Sequence, residues 1–227
     1  GRNAKGTTVV NIIEKSTEEK ISEIIPVKEF SDNEYLVMVT KNGVIKKTPA
    51  SEYESIRKSG KIAITLKEGD ELISIFKTTG NDNIFLATRN GMAICFNEND
   101  ARAVGRTASG VKAIDLADGD YVVGAEPVRE DSKVLLVTDG GYGKCTDLTS
   151  FRIQHRGGKG LKAYKITEKT GNIIGISMVN DSEELIMVTS EGVVIRIRIK
   201  DIATTTGRIT QGVRLINLND GVIVVSM

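Results

Sequence analysis

The 227-residue sequence has no tryptophan, one histidine, two cysteines and three prolines, and its aromatic content is 4%. Each scarcity closes off a class of function. Proteins that hold single-stranded nucleic acid stack its bases on aromatic rings, and too few are present here for such a platform. With His155 as the only histidine, neither a histidine-based metal cluster nor a triad can be assembled. Cys95 and Cys145 fall at equivalent places in a repeat described below. Neighbouring units hold such positions too far apart for a disulfide, whose Cα atoms lie within about 7 Å. Two inert thiols in a cytoplasmic protein are therefore expected. No apolar run approaches membrane-spanning length and no basic-then-apolar leader precedes the first strand signals, so neither a membrane span nor secretion is expected. No P-loop, zinc spacing or nucleotide fingerprint occurs, and no cofactor is expected. Lys and Arg number 31 against 30 Asp and Glu. Any nucleic-acid reading must therefore rest on where the charges lie.

What the chain has in quantity is glycine, 23 residues of it, and repetition. Val39-Thr40-Lys41-Asn42-Gly43, Ala87-Thr88-Arg89-Asn90-Gly91, Val137-Thr138-Asp139-Gly140-Gly141 and Val188-Thr189-Ser190-Glu191-Gly192 place their threonines 48, 50 and 51 residues apart. Each threonine ends an apolar run three residues before a glycine. A period of about fifty residues around a strand-turn-strand core marks a propeller-like ring. Each unit carries four short strand signals, β-branched runs bounded by Gly, Asn and Asp. They are Ile24–Val27, Tyr35–Thr40, Val44–Thr48 and Lys61–Leu66; Leu72–Lys77, Ile84–Thr88, Met92–Phe96 and Val111–Leu116; Tyr121–Val128, Val134–Thr138, Tyr142–Thr146 and Leu161–Ile166; and Ile173–Val179, Leu185–Thr189, Val193–Ile199 and Val213–Leu218. Lys-Asn-Gly and Arg-Asn-Gly are read as type I′ hairpin turns. Residues 49–57 alone suggest a turn or two of helix. The expected fold is all-β: a single domain over 1–227, a propeller-like β-pinwheel of four-stranded blades with repeats at about 21–71, 72–120, 121–172 and 173–221. Gly6–Ile13 reads as a remnant of a preceding blade within 1–20, and Val222–Met227 as the first strand of a following one. The chain starts without Met and in mid-pattern, and reads as an excised C-terminal fragment.

The connection from third to fourth strand is long in every unit and ends in an arginine with a glycine three or four residues on. The pairs are Arg2/Gly6, Arg57/Gly60, Arg106/Gly110, Arg156/Gly160 and Arg208/Gly212. Bases gather there: Lys5; Arg57, Lys58 and Lys61; Arg102, Arg106 and Lys112; Arg152, Arg156, Lys159, Lys162 and Lys165, with His155 and no acid between Leu148 and Thr167; then Arg208 and Arg214. Acids gather elsewhere, at 14–34, 67–71, 98–100, 115–120 and 181–184. One edge of the ring is expected to be basic. Arginine forks match phosphate oxygens, and glycines let backbone N–H groups approach them. The competing reading makes Arg-x-x-x-Gly turn chemistry, with arginine capping carbonyls between blades. Five loops in register favour phosphate contact, and a curved basic track suits a bent duplex.

Gln154-His155-Arg156-Gly157-Gly158-Lys159-Gly160 resembles the heptapeptide box of the DNA gyrase A subunit, Gln-Arg/Lys-Arg-Gly-Gly-Arg/Lys-Gly, in six of seven positions. His155 replaces the usual base. With the repeats, the resemblance covers nearly the whole chain, and the looser repeats are shared with the A-type subunit of topoisomerase IV. The resemblance implies a C-terminal β-pinwheel, without catalytic residues of its own, that bends DNA around its perimeter so that gyrase introduces negative supercoils. The implied partners are duplex DNA and, within the enzyme, the remainder of the gyrase A subunit together with the gyrase B subunit. The family's box lies in the first blade of six, whereas here it falls in the third of four full repeats.

Tyr35, Tyr53, Tyr121, Tyr142 and Tyr164 lie in or beside strands and are read as packing residues rather than DNA-linking nucleophiles. Ile195-Arg196-Ile197-Arg198-Ile199 puts both arginines on one strand face, to extend the basic edge or to blunt an exposed strand. A propeller-type protein-interaction module with a basic rim is the alternative function.

Overall fold

The computed structural model of the chain describes residues 5–8, 11–13, 19, 21–55 and 59–227. The strands are, in chain order, β1 (Tyr35–Thr40), β2 (Val44–Pro49), β3 (Leu72–Thr78), β4 (Asn83–Thr88), β5 (Met92–Asn97), β6 (Val111–Lys112), β7 (Val122–Pro127), β8 (Lys133–Thr138), β9 (Tyr142–Asp147), β10 (Leu161–Lys162), β11 (Ile173–Val179), β12 (Glu184–Thr189), β13 (Val194–Arg198), β14 (Thr204–Thr205), β15 (Val213–Arg214) and β16 (Val224–Ser226). They form four sheets: β3-β1-β2-β6, β7-β4-β5-β10, β11-β8-β9 with β14 and β15, and β13-β12-β16. The fold is an all-β pinwheel, as the repeat implies.

The strands are shared differently from the sequence expectation. Each hairpin keeps its two central strands but takes its inner strand, and in the first three sheets its outermost strand, from the chain that follows its own repeat. Thus β3 and β6, read as the first and fourth strands of the second unit, pair with β1 and β2 of the first. Every sheet is closed by chain from beyond its unit, which a unit-by-unit reading of periodicity cannot reveal. The same exchange explains two misassigned segments. Ile24–Val27 and Lys61–Leu66 form no strand, and among the described residues no hairpin before β1 is present for them to join. Val222–Met227 supplies β16, the inner strand of the fourth sheet. Gly6–Ile13 lies partly outside the described residues, and the described part forms no strand.

The four threonines have one task. Each is buried, and its hydroxyl accepts the amide four residues on: Val44, Met92, Tyr142 and Val193, at 3.1–3.2 Å. The turns are not type I′. Gly43, Gly91, Gly141 and Gly192 carry φ of +77°, +86°, +77° and +80°, while Lys41, Asn42, Arg89 and Asn90 keep negative φ. Each glycine amide donates to its threonine carbonyl, which is a type I turn followed by a left-handed glycine. The helical signal at 49–57 is a 3-10 turn at Ala50–Tyr53, and equivalent turns follow at Glu98–Asp100, Leu148–Ser150 and Ile199–Asp201.

Core forms between sheets. Ile84 and Leu86 of β4 pack toward Val37 and Val39, whereas Phe85 and Ala87 of the same strand pack toward Val134 and Leu136. A strand covered on both faces reads as a continuous apolar run. In β12 burial alternates instead, since one face alone is covered. The inner strands β3, β7, β11 and β16 pack side by side at the hub, around a cavity of about 610 Å³. Small residues permit this: a Cβ on Gly124 would lie 2.6 Å from Ile176 Cγ2. The outermost strands β6, β10 and β15 therefore mark the perimeter.

The loop glycines hold that perimeter together. Gly110, Gly160 and Gly212 have positive φ, and a Cβ on them would sit 2.5, 2.4 and 2.3 Å from the carbonyls of Ile45, Ala93 and Gly143. Gly212→Ala is expected to cost roughly 2 kcal/mol or more, from left-handed strain and displaced strand pairing. Gly158, with nothing nearer than 3.9 Å to a Cβ, should accept alanine at nearly unchanged stability. Urea unfolding of both variants checks this, and equal costs would contradict it.

Candidate nucleic-acid interface

Three perimeter loops are each bolted to the loop before them by two contacts in fixed register. The arginine of the Arg…Gly pair donates to the carbonyl two residues past the previous loop's glycine: Arg106 to Ile62 at 3.1 Å, Arg156 to Lys112 at 2.8 Å and Arg208 to Lys162 at 3.1 Å. A backbone bond accompanies each, from Thr65 N–H to Ala108 O, Asp115 N–H to Gly158 O and Lys165 N–H to Thr210 O. The signature is thus inter-blade chemistry in the first instance, as the competing sequence reading had it. Arg156 is held further by Nε donating to Asp100 O at 2.7 Å.

The box lies across this joint. Gln154 N–H donates to Cys95 O and Gly157 N–H to Ala113 O. Gln154 Nε2 is enclosed without a partner among the described residues. The Asp100 carboxylate takes the Arg156 amide at 3.2 Å and stands 3.2 Å from His155 Nδ1, leaving a side chain that is 99% exposed. Gly158 and Lys159 are exposed, and Gly160 is the strand-pairing glycine above.

The remaining predicted residues divide by how committed they are. Arg102, Arg152, Lys159, Lys162 and Lys165 are exposed, and none is in an ion pair among the described residues. Lys112 pairs with Asp115 at 2.8 Å, which holds that carboxyl below its usual range. Arg214 donates twice to the Tyr142 hydroxyl and once to Asn217, and these bonds lower the Tyr142 hydroxyl's pKa. Lys61 is half-buried, with Nζ 3.3 Å from Glu52 O, and Lys5 is exposed. Arg2, Arg57 and Lys58 lie outside the described residues. The separation of charge is incomplete, because Asp100 and Asp115 sit within the basic perimeter. Asp70 and Asp120 serve the hairpins, accepting the Asn42 and Asn90 amides.

Several loop glycines have no reason within the described residues to be glycine. Gly105, Gly158 and Gly207 have ordinary φ, and a Cβ on them would meet nothing nearer than 3.4 Å. All three are exposed, beside Arg106, Lys159 and Arg208. They leave the surface bare where the cations stand.

Residues 34–79, 82–129, 132–180 and 183–227 each match the profile of the DNA gyrase C-terminal domain, beta-propeller. The chain belongs to that family. Its relatives include the DNA gyrase A subunit of Halalkalibacterium halodurans, 56% identical over 221 residues, or 97% of this chain and 26% of that protein. The DNA gyrase A subunit of Clostridium acetobutylicum is 51% identical over 219 residues, 96% of this chain and 26% of that protein. The chain therefore spans about a quarter of these relatives. Among solved structures, a C-terminal domain of DNA topoisomerase IV matches with a TM-score of 0.90 at 29% identity, over 97% of this chain and 69% of that one. A DNA gyrase A C-terminal domain matches with a TM-score of 0.87 at 25% identity, over 99% and 75%.

Sequence reading missed Lys46 and Lys144. They sit one position before the Lys47/Cys95/Cys145/Arg196 register, where the other two repeats of this gyrase domain have Ile94 and Ile195. Both are enclosed. Lys46 Nζ donates to Ala63 O and Arg106 O, and Lys144 Nζ to Arg208 O and Thr210 Oγ1. Burial first, then the charge of Arg106 or Arg208, lowers each ammonium to about 8. The folded state then gives up these protons at a lower pH than the unfolded chain, so the cost of burying them is fully present below pH 8 and fades as pH rises toward 10.5. The thiols of Cys95 and Cys145, free and buried and pushed up to about 11, act oppositely above pH 9. They are common to wild type and lysine variants. The stability of wild type relative to Lys46→Ile/Lys144→Ile should therefore rise from pH 8 to 10 in urea titrations, and a flat difference would contradict it.

Proposed function

We propose that this chain binds duplex DNA along its perimeter and bends it without reading base sequence, as the C-terminal domain of a DNA gyrase A subunit supporting ATP-dependent negative supercoiling. The observation carrying this reading is the row of exposed cations, Arg102, Arg152, Lys159, Lys162 and Lys165, unpaired among the described residues and set in the same loops as side-chain-free Gly105, Gly158 and Gly207. Lysine and arginine supply phosphate contacts, which position a duplex rather than specify it. The bare glycines let the backbone reach the same phosphates.

On this reading the stapling arginines set the curvature of the track and the exposed lysines hold the DNA. Bending a short duplex costs on the order of 1–6 kcal/mol, which counterion release from several phosphates offsets. The domain needs no cofactor and performs no chemistry. Its partners are duplex DNA and, in the cytoplasm, the remainder of the gyrase A subunit together with the gyrase B subunit. A topoisomerase IV role is the second reading, favoured by the TM-score of 0.90. Identities of 51% and 56% to gyrase A sequences and the box weigh against it.

The triple variant Arg152→Ala/Lys159→Ala/Lys162→Ala should bind random-sequence duplexes more weakly. Its plot of log affinity against log salt should flatten by up to about 0.9 for each lost contact. Unchanged affinity and slope would remove these residues from the site. Retention of acidic polypeptides with no binding of DNA would favour a protein-interaction module instead.

A further inference from the structure

Lys46 and Lys144 are an anomaly that the fold itself does not demand. Their register position accepts isoleucine in the second and fourth sheets, at Ile94 and Ile195. A buried cation without a counter-ion is unfavourable where a hydrocarbon fits. Among the described residues neither ammonium is in an ion pair. Lys46 faces the Arg106 charge and, more weakly, Glu52. Lys144 faces Arg208, with the Tyr164 ring centroid 5.2 Å away. Their hydrogen bonds go to carbonyls of the perimeter loops, Arg106 O in one case and Arg208 O in the other.

A trans peptide points its N–H opposite its C=O. By drawing Arg106 O and Arg208 O inward, the lysines turn the amides of Thr107 and Ile209 toward the solvent. Neither amide makes a hydrogen bond among the described residues. Each stands beside a stapling arginine and two residues from a bare glycine, Gly105 or Gly207.

We infer that Lys46 and Lys144 are positioning residues for DNA, buried cations that aim these backbone amides at the phosphates of a bound duplex and take those phosphates as their missing counter-ion. This inference rests on the DNA-binding reading above and adds to it. A phosphate seated over each loop stabilises the charged ammonium beneath it. Binding then draws protons onto the two lysines wherever they are partly neutral in the free chain. The second sheet works differently: Ile94 lies below, and the box fills the same loop with Gly157 N–H turned inward to Ala113 O.

The test is calorimetric titration of random-sequence duplex DNA into the chain near pH 8.5, in two buffers of different ionisation enthalpy. The expected result is net proton uptake on binding, with affinity falling about tenfold or more between pH 7 and pH 9. In Lys46→Arg/Lys144→Arg, whose guanidinium groups stay charged, uptake should be lost and affinity should vary less than about threefold. Lys46→Ile/Lys144→Ile should lose both the uptake and part of the affinity at pH 7. No uptake by the wild-type chain, or equal uptake by the arginine variant, would overturn the inference. Should a variant fail to fold by circular dichroism, the wild-type proton count decides. Absence of binding at pH 7 would instead overturn the DNA reading itself.

Discussion

The perimeter of this pinwheel depends on a guanidinium donating to a carbonyl one repeat back. Arg106, Arg156 and Arg208 make that bond in identical register, and a loop-to-loop amide bond repeats beside each. Blades that met through side-chain packing alone could slide against one another. The guanidinium is planar, permanently charged and multiply donating, so it fixes the step between loops while leaving N–H groups unspent. The glycines that follow allow each loop to lie on the neighbouring β2-, β5- or β9-type strand as its outermost partner. One signature therefore shapes the track and helps to charge it.

The hairpins, their period and the basic loops were legible in the sequence because they are local. Threonine, glycine and apolar run recur at fixed spacing, and β1, β4, β8 and β12 emerge within a residue of their expected limits. What was not legible is what crosses between repeats. Inner strands Leu72–Thr78 and Ile173–Val179 are plain as strands but silent about which sheet they join, because pairing with the preceding hairpin leaves the periodicity unchanged. The turns are type I although Asn-Gly favours the primed turn, because the threonine hydroxyl holds the amide four residues on. Lys46 and Lys144 escaped notice because a lysine within a strand ordinarily faces water.

The loops combine inter-blade joints with exposed charge in the same short segments. Arg156 closes a joint, Asp100 anchors the box from within, and Lys159 and Lys162 are exposed and in no ion pair among the described residues. The basic rim is a scaffold of bonded cations and acids carrying cations that are unpaired among the described residues, which is why overall charge near zero is compatible with a basic edge. Membership of the gyrase C-terminal domain family rests on the whole repeat series. The role of the individual cations rests on exposure and on the absence of partners among the described residues.

The most direct measurement is topological. A nicked plasmid would be saturated with this chain, ligated, stripped of protein and read for linking number. The account predicts a positive shift that grows with protein and vanishes at high salt. Binding with an unchanged linking number would contradict the claim that this perimeter wraps the duplex.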